Sequence, residues 1–105
     1  MSYRIGKGYD VHQIKVGEPL ILGGVSIPYE KGVVAHSDGD ILLHAIIDSL
    51  LGALALGDIG ALFPNSKEWE NISGLLMLKK VKNFIASKYR ITIINIDSTI
   101  ILQEP

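Results

Sequence analysis

Asp10 and His12 stand two residues apart in Gly8-Tyr9-Asp10-Val11-His12, a spacing that puts both side chains on one face of an extended chain. There they could grip one ion. Taken alone, an Asp-x-His pair is a solvated polar face roughly four times in five, since such residues are mostly exposed. His44 lies inside the apolar run Ile41 to Leu56. The bland reading makes it a core histidine hydrogen-bonded to a backbone group. The chemical reading makes it a third ligand beside Asp10 and His12. Three nitrogen and oxygen ligands with one open position is the arrangement of a catalytic zinc, and such an ion can polarise a phosphate oxygen.

His36-Ser37-Asp38-Gly39-Asp40 precedes that apolar run. A helix start offers free N–H groups and a dipole that favour an anion, to which His36 and Ser37 could add donors. The plain alternative is an N-cap at Ser37 with a carboxylate three residues on. Asp38 and Asp40 oppose a nearby phosphate unless a cation intervenes or they point away. Asp58-Ile59-Gly60 is most simply a turn. Phe63-Pro64 fixes the loop that follows, and Asn65, Ser66 and Lys67 offer polar contacts. The glycines at 6, 8, 23 and 24 form no phosphate-loop motif, so a P-loop nucleotide site is not supported.

The elements that must position these groups belong to one domain, spanning residues 1–105. Hydrophobic residues make up 48% of the chain and charged residues 20%, values that exclude a disordered or fibrous class. Ten basic residues against eleven acidic ones argue against nucleic acid as the main partner. With no cysteine, thiolate metal sites and disulfides are excluded. No signal or transit segment and no run of membrane-spanning length is visible, so a cytoplasmic location is expected. The pattern predicts a strand over 3–12 and a hairpin over 19–29 turning at Gly23-Gly24. A loop is expected over 30–35, then a helix from Ser37 through Leu56 stopped by Gly57, and a loop over 58–65. A second helix over 73–88 carries an apolar stripe of Met77, Val81, Phe84 and Ile85. A strand over 91–102 shows Ile94, Ile96, Ile100 and Leu102 on one face. The expected class is α+β, a two-layer sandwich of a mixed β-sheet with helices packed on one face.

The sequence strongly resembles the 2-C-methyl-D-erythritol 2,4-cyclodiphosphate synthases of the non-mevalonate isoprenoid pathway. The resemblance runs from Arg4 to Pro105. Its carriers are Gly8-Tyr9-Asp10-Val11-His12, Leu22-Gly23-Gly24-Val25, Ile27-Pro28-Tyr29-Glu30-Lys31-Gly32, Ala35-His36-Ser37-Asp38-Gly39-Asp40, His44, and Leu56-Gly57-Asp58-Ile59-Gly60 followed by Phe63-Pro64. It implies a homotrimer with active sites between subunits and an intramolecular phosphoryl transfer. The 2-phosphate of 4-diphosphocytidyl-2-C-methyl-D-erythritol 2-phosphate attacks the β-phosphorus, giving the cyclic diphosphate and CMP. By this likeness Asp10, His12 and His44 hold a divalent ion, usually zinc, while a second Mg2+ or Mn2+ accompanies the substrate diphosphate. His36 stabilises the transition state, Ser37 is a phosphate contact, and Val11 is counted among the substrate-binding residues. Asp58, Ile59, Gly60 and the stretch Phe63, Pro64, Asn65, Ser66 and Lys67 hold the methylerythritol end. Leu102, Gln103, Glu104 and Pro105 begin the cytidine pocket.

Two departures accompany the likeness. Asn65 stands where the family usually has aspartate, and the loop after it is short. The family also continues past Pro105 with a strand and a helix, so the 105 residues are expected to be the N-terminal portion of a cyclodiphosphate synthase domain. The alternative function is a non-catalytic metal- and nucleotide-binding fragment of that family.

Overall fold

The structure is a computed structural model that describes residues 2–62 and 71–105. Among these residues the class is α+β: four short strands in two antiparallel pairs, followed by helices. The strands are β1 (Ile14–Val16), β2 (Leu20–Leu22), β3 (Val25–Ile27) and β4 (Lys31–Val33). β2 and β3 form the expected hairpin, with Leu22 opposite Val25 and only Gly23-Gly24 between them. Both glycines have positive φ, +62° and +80°. That is the mirror-image turn whose twist suits a two-residue hairpin, and only glycine adopts it freely. β4 occupies the stretch expected to be a loop. It pairs with β1, Ile14 opposite Val33 and Val16 opposite Lys31, so the β2–β3 hairpin is enclosed by an outer pair. The Val33 N–H also donates to the Pro19 carbonyl at 3.1 Å, joining the two pairs.

The helices are α1 (Ile41–Ala53), α2 (Ile59–Leu62) and α3 (Gly74–Lys88). α1 begins later than expected because Asp40, and not Ser37, is its N-cap, accepting the Leu43 N–H at 3.1 Å. It also ends earlier, at Ala53. Ala55 takes a positive φ of 55°, its N–H donates to the Gly52 carbonyl, and the Leu56 N–H reaches back to the Leu51 carbonyl. These two bonds make a Schellman cap, which turns the chain before Gly57. α3 matches its expected bounds and is capped by Ser73, whose hydroxyl accepts the Leu76 N–H. Met77, Val81 and Ile85 of its stripe are buried against Ile47 and Leu51 of α1 and against Ile72, while Phe84 packs at the margin. Each such side chain removed from water contributes about 1.5–3 kcal/mol, so the α1–α3 contact is the main source of cohesion. No helix among the described residues is long and apolar enough to cross a membrane.

Two expected strands are absent. Residues 3–12 and 91–102 carry no ladder. A strand exists only when its N–H and C=O groups pair with a neighbour, and neither segment has one among the described residues. Their apolar side chains are accordingly exposed, Ile5 by 95%, Ile94 by 78% and Ile101 by 86%. Both segments border one cavity over the α1 face formed by Ile41, Leu42, Ala45, Ile46, Ser49 and Leu50. Gly6 and Gly8 come so close to α1 that a Cβ on either would overlap a helix carbonyl, that of Ser49 or Ala45 respectively. The expected single mixed sheet is therefore replaced, among the described residues, by two antiparallel pairs.

Candidate active site

Asp10 and His44 are 34 residues apart in sequence, and the fold brings them into contact. One carboxylate serves two imidazoles. Asp10 Oδ1 lies 3.2 Å from His12 Nδ1, and Asp10 Oδ2 lies 3.3 Å from His44 Nδ1. The two rings stand edge to face with centroids 6.4 Å apart. His44 is buried to 6% exposure on the first turn of α1. Its other nitrogen, Nε2, faces the Ser37 hydroxyl at 3.2 Å and Asp38 Oδ1 at 3.9 Å. An ionised carboxylate only accepts, so Nδ1 carries the proton toward Asp10 and Nε2 accepts from Ser37. The core-histidine reading is corrected in one respect: both nitrogens face side chains, and no backbone group is involved.

The segment that leads into α1 is held by its own acids. Asp40 is fully buried and accepts three backbone N–H groups, from Gly23 at 3.0 Å, Gly24 at 2.7 Å and Leu43 at 3.1 Å. It thus pins the hairpin turn to the helix start. Asp38 accepts the Gly74 N–H at 2.9 Å, tying the same segment to α3. Both carboxylates accept backbone N–H groups, and Asp38 Oδ1 also lies within reach of the His44 ring. Ser37 is left beside His44. His36 is exposed, and its carbonyl accepts the Asn71 N–H at 2.8 Å. Val11, between the two ligand candidates, is also exposed.

Asp58, Ile59 and Gly60 enter α2. Asp58 Oδ1 accepts the Ala61 N–H at 3.1 Å, and the Ile59 N–H donates to Asp48 on α1. The turn reading is therefore refined into a capped helical turn. Phe63, Pro64, Asn65, Ser66 and Lys67 lie outside the described residues. Leu102 and Gln103 border the same cavity as Asp10, Val11 and His12. Glu104, followed by Pro105, instead turns to β4, where its carboxylate accepts from the Lys31 ammonium.

That last contact has a measurable consequence. The Lys31 hydrogen bond holds the Glu104 carboxyl below its ordinary value of 4.5, and the same bond raises the Lys31 ammonium. A lowered acid contributes its tie above its ordinary pKa and loses it as pH falls through the folded value. The carbon-13 shift of the Glu104 carboxyl should therefore titrate with a midpoint below 4.5, and Lys31→Ala should return it toward that value. An unmoved midpoint in the variant would remove the ion pair from the account.

Among the described residues no three histidine or acidic side chains form a ready cation cage. The donor set nonetheless suits a borderline divalent ion, because two Nδ1 atoms already face the same carboxylate. Two residues escaped the sequence reading, Asp48 and Lys31. Asp48 follows His44 by four residues, so the two share a helix face, a signal that was available. For Lys31 no local signal exists, since its partner is 73 residues away.

The YgbB family model matches residues 3–105 of the chain. The chain is 59% identical over 103 residues to a 2-C-methyl-D-erythritol 2,4-cyclodiphosphate synthase of Clostridium botulinum strain Hall, covering 97% of this chain and 66% of that protein. It is 58% identical to the synthase of Clostridium kluyveri, covering 62% of that protein. The chain thus spans somewhat less than two thirds of the length of these curated relatives. Among solved structures, one described as 2C-methyl-D-erythritol-2,4-cyclodiphosphate synthase superposes with a TM-score of 0.74 at 43% identity, covering 81% of this chain and 57% of the other. The CDP complex of IspF from Plasmodium falciparum gives 0.64 at 45% identity, covering 83% and 55%.

Proposed function

The chain belongs to the YgbB family, and from that premise we propose that its protein is a 2-C-methyl-D-erythritol 2,4-cyclodiphosphate synthase, a phosphorus–oxygen lyase of the non-mevalonate pathway to isoprenoids. The observation that carries the reading is the contact of Asp10 with both His12 and His44, with Ser37 on the far side of the His44 ring. These are residues that the resemblance assigns to one site, and 34 positions separate the outer two of the three ligand candidates. The 105 residues serve as the N-terminal portion of the synthase domain.

In this reading Asp10, His12 and His44 hold a divalent ion, zinc by preference. Such an ion supplies Lewis acidity and charge neutralisation at a phosphate oxygen. The remaining work belongs to the chain. Ser37 orients His44 and offers its hydroxyl to a phosphate, and His36 stands at the rim of the same segment as a donor to the charge that develops. The 58–60 segment receives the methylerythritol end, and the Leu102–Pro105 stretch opens the cytidine pocket. The 2-phosphate oxygen bonds to the β-phosphorus while the bond to the bridging oxygen breaks, and CMP leaves with that oxygen. Attack within one held molecule has a high effective molarity, so positioning supplies much of the acceleration. A second Mg2+ or Mn2+ travels with the diphosphate. The protein works as a cytoplasmic homotrimer with sites between subunits, and the exposed apolar side chains of 3–11 and 91–101 favour such assembly.

The test is CMP release from 4-diphosphocytidyl-2-C-methyl-D-erythritol 2-phosphate by the native protein with zinc. His36→Ala should lower kcat by about tenfold to a thousandfold, the range for loss of an oxyanion-type donor. Unchanged kcat/KM in that variant would make His36 structural. Binding of zinc and CDP with no CMP release would select the non-catalytic reading.

A further inference from the structure

Asp48 has no part in the chemistry above, yet it joins the two halves of the site. It lies one helical turn beyond His44 on the same face of α1. Its half-buried carboxylate accepts the Ile59 N–H at 2.6 Å across a gap of 11 residues. That N–H opens α2 and would otherwise be an orphan donor. A charged acceptor makes the bond roughly twice as strong as a neutral one. Asp58 secures the same turn from within, through Ala61. Gly57, at a φ of +92°, reverses the chain immediately before it. Without Asp48, little besides the packing of Ile59 and Leu62 at the core margin would fix where this segment sits.

We infer that Asp48 is a positioning residue whose carboxylate holds the 58–60 segment at a set distance from His44, so that a polyol phosphate spanning the two meets both at once. The inference rests on the proposed synthase reading for the identity of that ligand, while the clip itself stands on geometry. Three titratable groups act on the carboxylate from nearby: Asp58 on the segment it holds, and Asp10 and His44 on the side of the proposed metal site. Burial pushes the Asp48 carboxyl above its ordinary range, with the Ile59 N–H pulling the other way. A carboxylate kept in so acidic a neighbourhood is consistent with a role that an apolar residue could not fill. One chemical consequence follows directly. The Ile59 N–H is spent on Asp48, so ligand contacts at this segment must come from other groups.

The experiment compares the chain with Asp48→Asn and Asp48→Ala, reading the Ile59 amide by hydrogen exchange and measuring affinities for zinc, CDP and 2-C-methyl-D-erythritol 2,4-cyclodiphosphate. Exchange at Ile59 should rise in the order Asp, Asn, Ala, by about tenfold or more at the alanine end, as one charge-assisted bond is lost. Cyclodiphosphate affinity should fall in the same order by about tenfold, with zinc stoichiometry and CDP affinity unchanged. A merely structural role would weaken all three ligands together, and that result would overturn the inference. Equal Ile59 exchange in the three proteins would overturn it as well. If the alanine variant does not fold, the aspartate–asparagine pair still decides, since equal rates in those two sink the clip. Graded Ile59 exchange in a chain that binds no cyclodiphosphate would uphold the clip while removing the synthase reading.

Discussion

Replacing Asp40 by alanine is expected to lower the midpoint of thermal unfolding by more than about 10 °C. The side chain is fully buried, and its two oxygens take the N–H groups of Gly23, Gly24 and Leu43. Alanine leaves three donors facing a methyl group. A buried donor left without a partner costs about 1–3 kcal/mol, and loss of a helix N-cap alone about 1 kcal/mol. A combined loss on the order of 3 kcal/mol is a large share of the roughly 5–15 kcal/mol that stabilises a domain. Each kcal/mol moves the midpoint by about 4–8 °C at this chain length. Asp40→Asn keeps one carbonyl oxygen and should recover part of the loss. Thermal denaturation followed by circular dichroism measures both variants. A shift under about 2 °C for alanine would mean that the turn and the helix start are held by something other than this carboxylate.

Zinc should be lost from His44→Ala. In the intact chain Asp10 already touches both imidazoles, so the three proposed ligands lie close together before any ion binds. Deleting one of three ligands leaves a two-ligand remnant and should reduce affinity by orders of magnitude, to below stoichiometric occupancy after dialysis. Ser37→Ala provides the contrast. It removes the hydroxyl that orients the ring and leaves the ligand in place, and such outer partners are typically worth about 10–100-fold in affinity. Metal analysis of the purified proteins would register the difference. Because imidazoles bind a metal only when neutral and carboxylates only when ionised, zinc should also dissociate as the medium is acidified. Full zinc occupancy in His44→Ala would sink the ligand assignment.

Local patterning carried a good deal of this. Gly23-Gly24 between two short β-branched runs specified a two-residue hairpin, since the turn type depends on those two residues alone. The stripe of α3 was equally legible, because a buried face at helical spacing is a property of consecutive residues. The residue types of the site were legible as well: two histidines and an aspartate at the right spacings, and a polar segment ahead of an apolar helix. The resemblance added their proposed roles, and the structure places Asp10 beside both His12 and His44.

Tertiary structure decided the rest, and in each case the reason is a partner far away in the chain. Ser37 looked like the cap of α1, but its hydroxyl is drawn to the His44 ring, and the buried Asp40, which also serves two hairpin N–H groups, takes the cap. The segments 3–12 and 91–102 have the composition of strands, yet composition supplies only a preference, and a ladder needs a neighbour to receive its hydrogen bonds. Asp48 escaped the sequence reading because its partner, the Ile59 N–H, is brought to it only by the fold. Sequence by itself determined the turn, the amphipathic faces and the kinds of donor present. Which carboxylate met which nitrogen was set by the fold, because such contacts depend on where packing places segments that local spacing cannot relate.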